Sequence, residues 1–438
     1  MRGEQHDRNL PFPGSFGGSG FSPLEPRVRI VGGGLTGILA AFQAHRMGAR
    51  DIELYERLDR LGGIAQPDTV GGREMREGCI YFGPEGDPIR TLLEEHGAEF
   101  EEFDNRFGSV SAGTDGLTFL DDFGGPALPS SDIALTVPQG ESLGDRIGSY
   151  SPQLSEPLAR YVRWHTGCEP RDLHESAAVP MAINRVFPSA ASLDDLAEAK
   201  RTSELANDIF GIPRNLWGYT SNAKASLPVG GFGKLFARCR EALQSIGVRI
   251  HDSHFATAKR MLGDECAQDI VVWAASPIPL FKPLGVEVPR GPVRKFATYT
   301  FAASWSGPVP FYVQNFTAEG SIFRVYIYES AGSVLLTAEC VEKCDEAALK
   351  RDIHTMLEGF EGELAIGEQL HHSFKPRWLF HSQGTIDNLG QLRAALKAHR
   401  GNRFVTGAWE AYAKGEKFVE VESDLQQAFA ASVELDAL

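Results

Sequence analysis

Clustered cysteine, basic excess and long apolar runs are all missing from this 438-residue chain. Its six cysteines (Cys79, Cys168, Cys239, Cys266, Cys340 and Cys344) are too scattered to staple a small scaffold, and thiols in a reducing compartment fit them better. Only Cys340 and Cys344 are close. A C-x3-C pair with no second Cys/His pair beside it is a poor zinc pattern, so no metal is expected. With 43 Lys+Arg against 58 Asp+Glu, the formal charge is −15, which repels phosphate backbones. Neither nucleic acid nor an anionic membrane is an expected partner, and an anionic substrate would need a local cluster of Arg or Lys. No stretch approaches the roughly 18–20 apolar residues of a spanning helix, and no basic segment followed by an apolar one opens the chain. A cytoplasmic protein is the expectation. Ser/His/Asp, Cys/His and paired-carboxylate constellations are absent too, which fits an enzyme whose reactive atom belongs to a cofactor.

What is present begins after a Gly-, Pro- and Ser-rich stretch, residues 1–26, that reads as a flexible N-terminal tail. Val28, Ile30 and Val31 make a short buried strand. Gly32-Gly33-Gly34-Leu35-Thr36-Gly37 then leads into the helical run Ile38 to Ala44. In this strand, turn and helix, Gly32 permits the tight turn, Gly34 leaves room for a pyrophosphate, and Gly37 lets helix and strand approach. The helix start offers N–H groups and its dipole to an anion. A second strand, Asp51 to Tyr55, ends at Glu56, 19 residues beyond Gly37. There a carboxylate can accept hydrogen bonds from ribose hydroxyls.

Arg57 and the pair Gly62-Gly63 follow. An acidic strand end with R-x-x-x-x-G-G after it resembles the FAD fingerprint of glutathione-reductase-type flavoproteins, which favours FAD over NAD. Later strands, Gly247 to His251 and Asp269 to Pro277, and the break at Gly407 after Arg403 to Thr406, supply the rest of a split nucleotide domain. The expected fold is α/β: a Rossmann-type FAD-binding domain carrying a helical insert and a mainly antiparallel sheet insert. Residues 27–90, 225–275 and 385–438 form the FAD domain, 91–224 a mainly helical insert, and 276–384 an antiparallel-sheet substrate domain.

With these pieces assembled, residues 27–431 resemble the UDP-galactopyranose mutase family, within the wider amine-oxidase-like flavoproteins. The resemblance rests on Glu56 to Gln66 (ERLDRLGGIAQ), Gly78 to Gly83 (GCIYFG), Ser226 to Phe236 (SLPVGGFGKLF), Ala275 to Phe281 (ASPIPLF), and Val293-Arg294-Lys295. Asn315 to Thr317, Phe323 to Glu329 (FRVYIYE) and Gly407 to Phe418 complete it. It implies that Arg294 and Arg324 hold the substrate diphosphate as the bond to it breaks, with Tyr412 at a site tyrosine position. Gly407 would lie beside the cofactor. Arg214, Trp217, Phe316, Tyr326, Tyr328 and Arg377 would line the substrate site.

The implied activity is a FAD-dependent interconversion of pyranose and furanose rings on a nucleotide sugar, through a glycosyl adduct on N5 of the reduced flavin. It would require a reductant for the flavin. Several family residues are missing: no histidines stand in Gly78 to Gly83, Ala408 follows Gly407 where the family has Arg, and Gly415-Glu416-Lys417 replaces an acidic element. The substrate is therefore not assumed to be UDP-galactose. A FAD-dependent oxidase or desaturase of the amine-oxidase group is the alternative, because hydride transfer needs an apolar pocket and no diphosphate clamp. A flavin binder without catalysis is a third reading. The sequence leaves the sugar, the nucleobase and the oligomeric state, including a homodimer, open.

Overall fold

A computed structural model describes residues 26–78, 80–105, 107–113, 116–121, 127–128, 140–150, 152–183, 187–188, 202 and 224–435. In chain order the first half contains β1 (Val28–Val31), α1 (Leu35–Arg46), β2 (Ile52–Tyr55), β3 (Asp68–Val70), β4 (Arg73–Met75) and α2 (Pro88–Glu95). It continues with β5 (Phe100–Asp104), β6 (Phe107–Gly113), β7 (Gly116–Asp121), β8 (Ala127–Leu128), α3 (Leu143–Gly148), α4 (Pro152–Thr166) and β9 (Phe187–Pro188). The second half opens with β10 (Lys224–Pro228), α5 (Gly231–Ser245), β11 (Arg249–His251), α6 (Ala258–Leu262), β12 (Ile270–Trp273) and α7 (Ile278–Phe281). Then come β13 (Val293–Trp305), β14 (Phe311–Asn315), β15 (Ile322–Ser330), β16 (Ser333–Cys340) and α8 (Glu346–Leu357). Last are β17 (Leu364–Leu379), α9 (Gln383–Arg400), β18 (Phe404–Thr406) and α10 (Lys414–Leu435).

Two sheets organise these elements. The first has the order β11-β2-β1-β12-β18, with every neighbouring pair parallel. Its central strands are buried along their whole length, as expected when helices cover both faces, with Arg29 of β1 paired to Glu53 and Asp269. Helix α1 packs on it through Ile38, Leu39, Ala41 and Phe42, and α10 adds Phe418, Val421 and Leu425 to the same core. This is the Rossmann-type dinucleotide domain, and it gathers β11, β12 and β18 from far along the chain. The second sheet has the order β17-β13-β16-β15-β14-β6-β7 and is antiparallel except between β14 and β6. Helix α8 covers one of its faces through Leu349, Ile353 and Met356. Its other face packs on α3, α4 and the segment to Ile183.

Among its described residues, the segment 91–224 carries strands as well as helices. Strands β6 and β7 pair as a hairpin and extend the second sheet beyond β14, while β5 pairs with β10. The helix-spaced apolar residues of this insert start only at Leu143. Before them, Val110 is buried in the core of the second sheet, with Phe119 against that core, a spacing that serves a strand.

Candidate functional site

The carboxyl ends of the parallel strands converge on one edge of the first sheet, the place where open α/β sheets receive ligands. Strand β1 leaves into Gly32, β2 into Glu56, β12 into Ala274 and β18 into Gly407. These exits pack so closely that side chains have no room. A Cβ on Gly32, whose φ is +102°, would stand 2.8 Å from the Ala275 nitrogen. One on Gly407 would stand 2.8 Å from the Ala274 Cα, and one on Gly37 would run into the Gly32 carbonyl. Gly34 differs. Its φ is −70°, and a Cβ there would touch only Gly63 Cα at 3.9 Å, so the space beside it is open.

The second glycine pair closes over this loop. Gly62 donates its N–H to the Gly33 carbonyl at 2.8 Å, and Gly34 bridges Gly62 in parallel. Gly62 and Gly63 both have positive φ, +109° and +57°. The next residue, Ile64, is 92% exposed, an apolar side chain standing beside the glycine loops with nothing over it. Glu56 is buried. Its carboxylate accepts from the Gly33 N–H at 2.7 Å and from the Leu58 N–H at 2.8 Å, so it ties β2 to the loop while keeping acceptor capacity for a hydroxyl. Arg57 points to solvent. Helix α1 starts without a capping side chain and without an acidic residue in its first turn, leaving its N–H groups available to an anion.

At the other sheet the expected substrate residues are placed differently. Arg294, on β13, donates from Nη1 to the carbonyls of Trp164 and His165 at the end of α4, the latter at 2.9 Å. It thereby satisfies two carbonyls that a helix end leaves open, and burial lowers its pKa. Arg324, on β15, is ion-paired to Glu339 of β16, whose side chain is fully buried. Phe316 packs against Tyr161 of α4 at 5.1 Å, and Tyr326 stacks on Tyr328 at 4.8 Å. The Tyr328 hydroxyl accepts from the Arg76 N–H at 2.9 Å and donates to the Glu74 carbonyl at 3.1 Å. Tyr412 joins the C-terminal segment to the end of β17: its hydroxyl donates to the Leu379 carbonyl at 2.7 Å and accepts from the His381 N–H at 2.8 Å. Burial raises its pKa. Arg214 and Trp217 lie outside the described residues, as does the side chain of Arg377.

The cofactor glycines and Glu56 are thus brought together on one edge. The substrate set instead spreads over a packed face, with Met75, Met181, Phe296, Phe323 and Phe380 among its neighbours.

Several residues of interest lacked a sequence signal. Arg76 lies with its guanidinium carbon 5.1 Å from the Tyr328 ring centre and 5.5 Å from that of Phe232. Glu74 caps α5 by accepting from the N–H groups of Phe232 and Gly233. Thr406, the last residue of β18, has a buried hydroxyl without a hydrogen-bond partner among the described residues. Lys414 and Lys417 open α10 beside the first turn of α1. For these two a signal existed, since lysines at a helix start oppose the dipole. Among the described residues there is no cluster of three metal-ligating side chains, and no helix is long and apolar enough to cross a membrane.

Residues 30–95 match the NAD(P)-binding Rossmann-like domain family. Coproporphyrinogen III oxidase of Mycobacterium bovis is 23% identical over 219 residues, 47% of this chain and 46% of that protein. The chain therefore spans about half the length of that curated relative. Tryptophan 2-monooxygenase of Pantoea agglomerans is 51% identical over only 47 residues, 11% of this chain and 8% of that one. Among solved structures, reduced UDP-galactopyranose mutase superposes with a TM-score of 0.61 at 14% identity, covering 94% of this chain and 99% of that one. Cyclohexylamine oxidase from Brevibacterium oxydans gives 0.54 at 13% identity, covering 94% and 99%. The fold is thus shared by a mutase and by an oxidase.

Proposed function

We propose that the chain is a FAD-dependent oxidoreductase of the oxidase or desaturase kind, acting on an apolar substrate. The residues fit the cofactor. Open space at Gly34 and an uncapped helix start suit a diphosphate. Glu56 suits a ribose, and the exposed side chain of Ile64 offers an apolar surface to the ring system. When bound, FAD supplies an acceptor for the electron pair of a substrate C–H bond. The chain contributes position and environment. Gly34 leaves the approach clear, Glu56 fixes the loop and accepts from hydroxyls, and the rings of Phe296, Phe316, Phe323, Tyr326 and Tyr328 keep the core beneath α3 and α4 apolar.

The observation that carries this reading is the state of the two arginines expected to clamp a diphosphate. Arg294 closes the end of α4, and Arg324 neutralises the buried Glu339. Freeing Arg324 would break its ion pair with a fully buried carboxylate, at a cost of roughly 3–5 kcal/mol. A nucleotide-sugar mutase is the second reading, favoured by the likeness to reduced UDP-galactopyranose mutase over nearly the whole chain. Anaerobic assays separate the two. The yellow protein mixed with a panel of apolar amines and coproporphyrinogen III is expected to bleach with one of them and to consume oxygen when air is admitted. Ring contraction of UDP-galactopyranose by the dithionite-reduced protein, without bleaching by any member of the panel, would replace the first reading by the second.

A further inference from the structure

Two helices begin at the same place. A cavity of about 20 Å3, enough for one water, is lined by Leu35 and Thr36 of the first turn of α1 and by Lys414 and Lys417 of the first turns of α10. Each helix start carries a partial positive charge, and both helices are long enough to express it, 12 and 22 residues. Placing two ammonium groups there adds like charge to like. Around Lys417 the charge is offset by Glu410, Glu416 and Glu420, Glu416 lying in the same first turn, whereas around Lys414 only Asp87 opposes it.

The two lysines are not equivalent. Lys417 donates to the Ala408 carbonyl at 3.0 Å, which holds the segment after Gly407 against α10. Lys414 makes no hydrogen bond or ion pair with any described residue. Its ammonium lies 5.9 Å from the centre of the Phe82 ring, and burial lowers its pKa, opposed only by Asp87. An ammonium so placed loses hydration and gains in return only the face of the Phe82 ring and the more distant charge of Asp87, with no direct hydrogen bond or ion pair. An anion at the start of α1 would supply one, and a diphosphate accepts from a lysine as from a point charge.

We propose that Lys414 is a binding residue for the dinucleotide, contributing the side-chain cation that neutralises its diphosphate at the joint start of α1 and α10. This rests on the FAD reading above. Lys417 is a positioning residue that keeps the Gly407 segment and the α10 start in register.

The test is FAD release from the purified protein, followed by the fluorescence of free FAD after dilution at several salt concentrations, for wild type, Lys414→Met and Lys414→Arg. Lys414→Met is expected to weaken retention by about tenfold to a hundredfold and to flatten its salt dependence. Lys414→Arg should restore most of both. Thermal melting of the flavin-free fraction should be unchanged or higher in Lys414→Met, since a cation has been removed from a helix start. The flavin reduction potential should not move, because the contact is with the diphosphate and not the ring. Wild-type retention in Lys414→Met would overturn the inference and leave the FAD reading standing, as would a shifted potential, which would place the ammonium at the ring. A wild-type protein that neither carries nor takes up FAD would overturn both.

Discussion

The edge of the parallel sheet and the face of the antiparallel sheet meet polar demand in opposite ways. At the first, side chains are withdrawn: Gly32, Gly37 and Gly407 exclude a Cβ because backbone already occupies the space, and the acceptor of the loop is the single carboxylate of Glu56. What remains on offer is open space at Gly34 and unpaired positive potential at two helix starts. At the second, charge is consumed internally, Arg294 by the end of α4 and Arg324 by Glu339, and the surface between them is aromatic. The difference teaches where a charged ligand belongs. An anionic dinucleotide suits an edge whose donors are unspent, whereas the paired charges of the other face serve the packing of α3 and α4 on the sheet.

The sharpest way to break the comparison is to place one methyl group at two glycines of the same loop. Gly37→Ala drives a Cβ into the Gly32 carbonyl, and the expected loss is on the order of 3–5 kcal/mol, seen as a collapsed thermal transition. Gly34→Ala fits the protein without ligand and should melt within about 0.5 kcal/mol of wild type, yet purify nearly free of flavin. Equal flavin content in Gly34→Ala and wild type would mean that the open space is not where the dinucleotide passes.

On the antiparallel sheet, Arg324→Met should destabilise by about 3–5 kcal/mol, because the fully buried Glu339 carboxylate loses its ion pair with Arg324, and the double variant with Glu339→Met should recover much of that. Arg294→Met removes only hydrogen bonds to the α4 carbonyls and should cost about 1–3 kcal/mol. If either variant melts as wild type but loses affinity for UDP-galactose, the charges on this face are available to ligand and the contrast between the two regions fails.

A third effect concerns the junction between the regions. His381 is buried beside Tyr412, and burial lowers its pKa from 6.5 to about 4. The folded protein therefore binds fewer protons than the unfolded chain between these values. The contribution of His381 is fully present above pH 6.5 and is lost as pH falls towards 4, by up to about 3 kcal/mol. Urea midpoints across this range should rise with pH in wild type, with a shallower slope in His381→Leu. Smallest is Glu56→Gln, which keeps one acceptor for the Gly33 N–H and should lower stability by about 1 kcal/mol while weakening FAD retention.

Much of the first region was legible because its determinants are local. A short apolar strand, glycines at fixed spacing and an acidic strand end each constrain backbone within a few residues, and the sheet then assembles them as expected, with β11, β12 and β18 beside β1 and β2. The second region was less legible because its determinants are distant. Nothing near Arg294 in sequence reveals that it closes a helix ending at Thr166, and an arginine that caps a helix has the same composition around it as one that clamps a phosphate. The β6–β7 hairpin escaped notice because its gain comes from joining β14, about 200 residues away, and not from a strong pattern of its own. Lys414 was readable in principle, as a cation at the wrong end of a helix, but its meaning depends on α1 beginning beside it.

The central claim is that the glycine edge holds FAD, and the flavin content of the purified protein tests it most directly. Heat-denatured protein, with the released chromophore separated by chromatography and quantified against the protein, is expected to yield close to one FAD per wild-type chain and almost none from Gly34→Ala. A colourless wild-type protein that takes up no FAD, or a Gly34→Ala protein as yellow as wild type, would contradict it.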